Sequence, residues 1–309
     1  MEIRQVGTSG LKVSSVGLGT MTWGRDTDAD EAASQLEAFV AAGGTLIDTS
    51  NRYGEGDAEA IIGTLVPDVI PRSSVVIATT TVGVGGGRGA LLDALDGSLA
   101  RLGTDHVDLW QAHLWDPTVR FEETCAALAS AVTSGRARYV GLAGYQGWQL
   151  ATAATELKHL GAPAASCETE YSLLDRTAEE SVLPAAAAHG IGVIGWAPLA
   201  RGVLTGKYRH GTPADSRGAS PHFARYVGRH RTDAAAGVVE AVATAADGLG
   251  TSPLAVACAW ARDRPGIAAA VVGARDAAQL RGILQGEELQ LPAEIMAALD
   301  DVSDPDQAP

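Results

Sequence analysis

Short apolar, mostly β-branched runs alternate with amphipathic, alanine-rich segments along nearly the whole chain. The runs "VGLGTM" (16–21), "TLIDTS" (45–50), "VVIATTT" (75–81), "VDLWQAH" (107–113), "ARYVGLAG" (137–144), "ASCETEYS" (165–172), "GVIGWAPL" (192–199) and "IAAAVVGA" (267–274) read as eight strands. Near-continuous apolar runs bounded by breakers suit strands covered on both faces. Between them the apolar spacing turns helical. Helices are expected near 28–42, 57–65, 89–102, 121–134, 148–160, 178–189, 277–284 and 292–299, with a longer stretch over 233–264 broken at 250–253. "EIRQV" and "KVSS" around "GTSG" predict an N-terminal β-hairpin.

Eight β/α units in about 260 residues fit one (β/α)8 TIM barrel spanning 1–309, with a flexible tail from about 303. A doubly wound sheet is the alternative. It calls for a glycine fingerprint after an early strand, and "VGLGTM" lacks the third glycine and a helix start. "GVGGGRG" (83–89) has no lysine–serine pair for a phosphate loop and reads as a flexible loop over the barrel mouth.

Composition narrows the partners. The net charge of −14 argues against nucleic acid or an anionic membrane. No run reaches a membrane-spanning length, and "MEIRQVGTSG" lacks the basic start and apolar core of a signal peptide, so a cytoplasmic place is expected. Cys125, Cys167 and Cys258 are widely spaced and odd in number, as buried free thiols rather than disulfides or a metal site; no metal is expected. One region runs against the acidic balance. Arg201, Lys207, Arg209, Arg217, Arg225, Arg229 and Arg231 gather in a Gly/Pro-containing loop with Asp215 as its acid. That loop is a candidate clamp for a phosphate-bearing ligand, while His210, His222 and His230 within it read as solvated.

In a TIM barrel the chemistry lies at the C-terminal ends of the strands. Those ends supply Asp48, Tyr53, Thr79 to Thr81, His113, Glu168, Tyr171 and Trp196 to Leu199. A phenol beside an imidazole can protonate a developing alkoxide while the imidazole orients the carbonyl. Trp23 and Trp115 follow strand ends and are candidates to wall a substrate pocket; Trp110, in mid-strand, reads as core.

"TLIDTSNRYGEGDAEAIIG", "VDLWQAHLWDP", "EYSLLDR", "WAPLARGVLTGKY" and "VVGARDAAQL" together resemble the signature stretches of the aldo-keto reductases, in order and spacing across nearly the whole chain. The resemblance implies a (β/α)8 barrel, NADPH-dependent reduction of a small carbonyl substrate, and an Asp, Tyr, Lys and His tetrad. Asp48, Tyr53 and His113 match three positions, and Thr80 stands at the lysine's. The family's Ser-Asn after the fifth strand is Ala143-Gly144 here, its Gln on the sixth is Glu168, and a Glu-Asn pair near the end is Gly282 and Ile283. Pro198, Leu199, Gly202, Leu204, Lys207, Gly273, Arg275 and Gln279 keep the pattern of cofactor contacts. Tyr171 would offer the ring face on which the nicotinamide stacks.

A neutral threonine cannot lower the tyrosine's pKa as a lysine does. Asp48 loses its counter-ion, so it is expected to be partly protonated or to be held by hydrogen bonds from Thr80 and Tyr53; Arg25, Arg52 or Arg88 swinging in from the mouth loops is the disfavoured alternative, because a guanidinium's geometry differs from a lysine's point charge. Three readings follow: a slow or specialised NADP(H) oxidoreductase with cofactor binding weakened or lost; a non-redox isomerase or lyase on a carbonyl or sugar-like compound using Tyr53, His113 and Glu168; and a non-catalytic ligand- or partner-binding barrel.

Overall fold

The computed structural model describes residues 1–214 and 216–305. Eight parallel strands close into a barrel: β3 (Val16–Gly19), β4 (Leu46–Ser50), β5 (Val76–Thr81), β6 (Val107–His113), β7 (Ala137–Ala143), β8 (Ala164–Glu170), β9 (Gly192–Trp196) and β10 (Ile267–Val272). They lie side by side in chain order, and β10 closes against β3. β1 (Ile3–Gln5) and β2 (Lys12–Ser14) form the antiparallel hairpin expected at the N-terminus. The expected helices form between the strands, and the long one splits into 233–249 and 253–262. Ser252 caps the second by accepting from the Ala255 amide, with Pro253 in its first turn, where a missing N–H costs nothing.

Two apolar cores result. Inside the barrel, Leu46, Ala78, Leu109, Ile194, Ala269 and Val271 pack with Val6, Leu11 and Val13, so the hairpin plugs one end. Outside, the opposite strand faces pack on the helices around Leu18, Ile47, Ile77, Trp110 and Val193. Trp110 is core as expected, its Nε1 donating to Thr81 Oγ1 at 2.8 Å. All three cysteines are free and buried.

Two expectations about mobile segments change. The glycine-rich loop is tied down: Gly86 donates its amide to Asp116 Oδ2 (2.9 Å) and accepts from Thr124 Oγ1 at its carbonyl (2.8 Å). The last helix continues to Val302, and Ser303 is buried, donating to the Leu299 carbonyl at 2.7 Å and accepting from Arg176 at 3.0 Å. Residues 306–309 of the tail and Asp215 lie outside the described residues. No helix among the described residues is long and apolar enough to cross a membrane.

Candidate active site

The plugged end leaves the C-terminal strand ends facing a cavity of about 950 Å³. Asp48, Thr80, His113 and Glu168, from β4, β5, β6 and β8, line its floor with Tyr53 from the loop after β4. That loop is built to present the phenol. Asn51 receives the Val82 amide (2.8 Å) and donates to the Val82 carbonyl (3.2 Å), stitching it to the end of β5. Gly54 then takes a left-handed turn (φ +57°) against Trp23, where a Cβ would lie 2.9 Å from the Trp23 carbonyl oxygen. A side chain there would push Tyr53 off its place.

Thr80 does not hold Asp48. Its hydroxyl donates to Glu168 Oε2 at 3.2 Å, and no hydrogen bond from Thr80 or Tyr53 to Asp48 exists among the described residues. Gln111 Nε2 also donates to Glu168 Oε2 (2.6 Å) and to Thr80 Oγ1 (3.1 Å), while its Oε1 accepts from Ser166 Oγ (2.9 Å). Gln111 and Ser166 were missed in the sequence; their signal is a polar residue inside an otherwise apolar strand. The expected rescue of Asp48 by hydrogen bonds from Thr80 and Tyr53 is not formed among the described residues: Thr80 donates to the other carboxyl, and Tyr53 makes no bond to Asp48.

The electrostatics follow. Asp48 and Glu168 are 4% and 7% exposed and face the same cavity. Burial, and then the Glu168 charge, push Asp48 well above the usual carboxylate range. Burial raises Glu168 to about 7, against the opposing pull of Thr80 and Gln111. Burial and both carboxyl charges raise the Tyr53 phenol well above its ordinary value. Packing around His113 lowers its pKa, favouring the neutral imidazole. Arg25, Arg52 and Arg88 do not line the cavity. Arg25 pairs with Asp26 (2.7 Å) and lies over the Phe223 ring.

The other end is cationic. Lys207, Arg217 and Arg275 line it with Pro198, Leu199, Gly202, Gly273 and Gln279. Lys207 Nζ folds over Gly202, and Arg217 reaches over Gly273 at the end of β10. Burial pulls the Arg217 pKa down. Three arginines of the basic loop are spent on internal ion pairs, and Arg231 donates to Thr212 Oγ1 at 2.8 Å. Arg201 is buried on Glu170 (2.6 Å) against the Tyr226 ring, Arg229 pairs with Glu170 and Asp175, and Arg209 pairs with Glu240. His230 is buried, not solvated, with Nε2 2.9 Å from Glu170 Oε1. The clamp expected of the whole loop thus contracts to Lys207 and Arg217.

Three aromatic assignments change. Tyr171 does not face the cavity: its ring stacks on Trp260 (5.4 Å) and its hydroxyl donates to Glu179 (2.5 Å), outside the barrel. Trp196 lines the cavity instead. Trp23 is fully buried, with Nε1 donating to Gln35 at 3.1 Å, and Trp115 stacks on Phe121 (5.4 Å) and packs against Trp148 (5.2 Å). Neither walls the cavity, because both rings turn to the helices. Gly144 does line it, at φ +72°, and Leu114 fills the space beside it: a Cβ on Gly144 would lie 2.7 Å from Leu114 Cδ2. Gly282 and Ile283 line it as well.

The chain belongs to the aldo/keto reductase family, whose model matches residues 15–304. It is 35% identical over 320 residues to an uncharacterized oxidoreductase, YrpG, of Bacillus subtilis, covering 98% of this chain and 96% of that protein. It is 34% identical to a probable voltage-gated potassium channel subunit beta of Oryza sativa, over 89% of this chain and 87% of the other. It is 31% identical to an L-glyceraldehyde 3-phosphate reductase of Escherichia coli O157:H7, over 97% and 92%.

Proposed function

We propose that this family member is an oxidoreductase that uses NADP(H) on a small aldehyde or ketone in the cytoplasm, and that it is slow or specialised. The observation that carries this reading is the convergence of Asp48, Tyr53 and His113 on one end of a cavity whose other end holds Lys207, Arg217 and Arg275. A dinucleotide phosphate needs such polarity, with cations for its phosphates and hydrogen-bonding groups at its reactive end.

The residues fit the cofactor unevenly. Lys207 and Arg217 would hold phosphate oxygens, with Arg275 and Gln279 at the adenosine end and Trp196 offering a ring face at the end of β9. At the nicotinamide end Ala143 and Gly144 carry no side-chain donors, Leu114 occupies the space beside Gly144, and Glu168 presents a carboxyl to the carboxamide. Each lost neutral hydrogen bond costs about 1 kcal/mol, so binding is weakened rather than abolished.

When bound, the cofactor supplies the hydride. His113, neutral, directs a ring N–H at the carbonyl oxygen and fixes its place. Tyr53 passes its phenolic proton to that oxygen as negative charge develops. No cation lowers the Tyr53 phenol among the described residues, and its raised pKa makes it a weaker acid than a lysine-supported phenol, hence the slow rate. The glyceraldehyde 3-phosphate reductase relative supports a small hydroxy-aldehyde, with or without phosphate, as substrate. Calorimetric titration with NADPH and with NADP⁺ tests the reading. Micromolar binding of either is the expected result, and no heat at near-millimolar cofactor overturns it.

A further inference from the structure

Glu168 has no task in that reduction, yet the surroundings position it closely. Its Oε2 receives both hydrogen bonds, from Gln111 (2.6 Å) and Thr80 (3.2 Å). The Gln111 amide is itself held one way round, because its oxygen accepts from Ser166 at 2.9 Å and its nitrogen must then face Glu168. Glu168 Oε1 makes no hydrogen bond among the described residues, and the side chain lines the cavity floor with Asp48, Tyr53 and His113. Asp48 likewise has no side-chain hydrogen bond among them. Two carboxyls that share a buried floor without a cation keep a proton between them, and the ionised one is a stronger base than an exposed carboxylate.

We propose that Glu168 is a catalytic acid–base residue that gives this site a redox-independent activity: removal and return of the proton α to the carbonyl of a hydroxy-aldehyde or hydroxy-ketone. This rests on the reading above that the carbonyl oxygen lies between Tyr53 and His113. The α C–H bond breaks, its proton passes to Glu168, and its electron pair forms the C=C bond of an enolate whose oxygen accepts hydrogen bonds from Tyr53 and His113. Glu168 returns a proton to the same carbon, or to its neighbour once the adjacent hydroxyl proton has moved to the first oxygen. The first outcome exchanges hydrogen with solvent and the second interconverts aldehyde and ketone. Neither consumes an oxidant or reductant. Glu168, at about 7, is ionised enough near neutral pH to take the proton and basic enough to hold it.

The test is proton NMR of glyceraldehyde, dihydroxyacetone and their phosphates in D2O with the full chain and no nicotinamide. NADPH-dependent reduction of the same compounds and binding by tryptophan fluorescence are recorded alongside. Loss of the α-proton signal well above the buffer rate, reduced about a hundredfold in Glu168→Gln, supports the proposal. Glu168→Asp, which keeps the carboxyl but withdraws it, is the second variant and should slow exchange less than Glu168→Gln does. Binding or reduction of a probe without exchange overturns this proposal and leaves the reductase reading standing. Exchange unchanged in a folded Glu168 variant removes Glu168 from the step. Neither binding, reduction nor exchange with any probe overturns both readings.

Discussion

At the rim of the cavity, Lys207 and Arg217 extend from one long loop and Arg275 from the turn after β10, so positive charge stands where phosphates would lie. At the floor, Asp48 and Glu168 come from strands, buried within the barrel, with no cation among the floor-lining residues. An exposed charge on a loop, such as Lys207, can be lost or replaced at little cost to the fold. A charge on a strand end is desolvated, so removing its partner shifts the pKa of everything around it. Burial without a cation lining the floor therefore has a wide effect: Asp48, Glu168 and Tyr53 all move upward together.

The contrast breaks most plainly at the rim. Lys207→Ala with Arg217→Ala should weaken NADPH binding about a hundredfold or more, since charge-assisted hydrogen bonds contribute about 1.5–3 kcal/mol each. Calorimetry checks it, and an unchanged Kd would mean the cofactor does not use this end. At the floor, Glu168 should make stability fall as pH rises. Its folded value of about 7 lies above the ordinary 4.5, so the native state keeps a proton that the unfolded chain has released. The stability is fully present below pH 4.5, declines between there and 7, and by pH 8 the cost is about 3 kcal/mol. Urea unfolding at pH 5.5 and 8 should show that decline reduced in Glu168→Gln.

Thr80→Lys is a smaller effect of opposite sign. An ammonium beside Asp48 and Glu168 would lower both carboxyls and the Tyr53 phenol, and a fall of one pH unit in the phenol's pKa corresponds to about 1.4 kcal/mol. Reductase turnover should rise about tenfold, measured as NADPH oxidation; no gain in a folded, NADPH-binding variant would mean the floor serves other chemistry. The smallest effect separates Tyr171 from Trp196. Tyr171→Phe loses the hydrogen bond to Glu179 and should cost about 1 kcal/mol of stability by urea unfolding, with cofactor affinity unchanged.

Much of this was legible in the chain. The period of the apolar runs is enough to count eight strands, because a parallel barrel buries both faces of each one. Asp48, Thr80, His113 and Glu168 are readable as mouth residues because they stand at or near strand ends. Gln111 and Ser166 were not, since a polar residue within a strand does not announce which neighbour it will meet. Trp23, Trp115 and Tyr171 were misplaced for a related reason: just past a strand end an aromatic ring can turn inward or toward the helices, and Gln35, Phe121 and Trp260 decide which.

By itself, then, the sequence determined the fold, the family and the absence of a lysine at Thr80, all of which depend on residue type and spacing along the chain. The tertiary structure decided that Thr80 serves Glu168 rather than Asp48, that Arg201, Arg209 and Arg229 of the basic loop are paired internally, and that two carboxyls share the floor. Those depend on which side chains from distant strands meet deep in the barrel, where hydrogen bonds and charges act at short range and burial multiplies their effect.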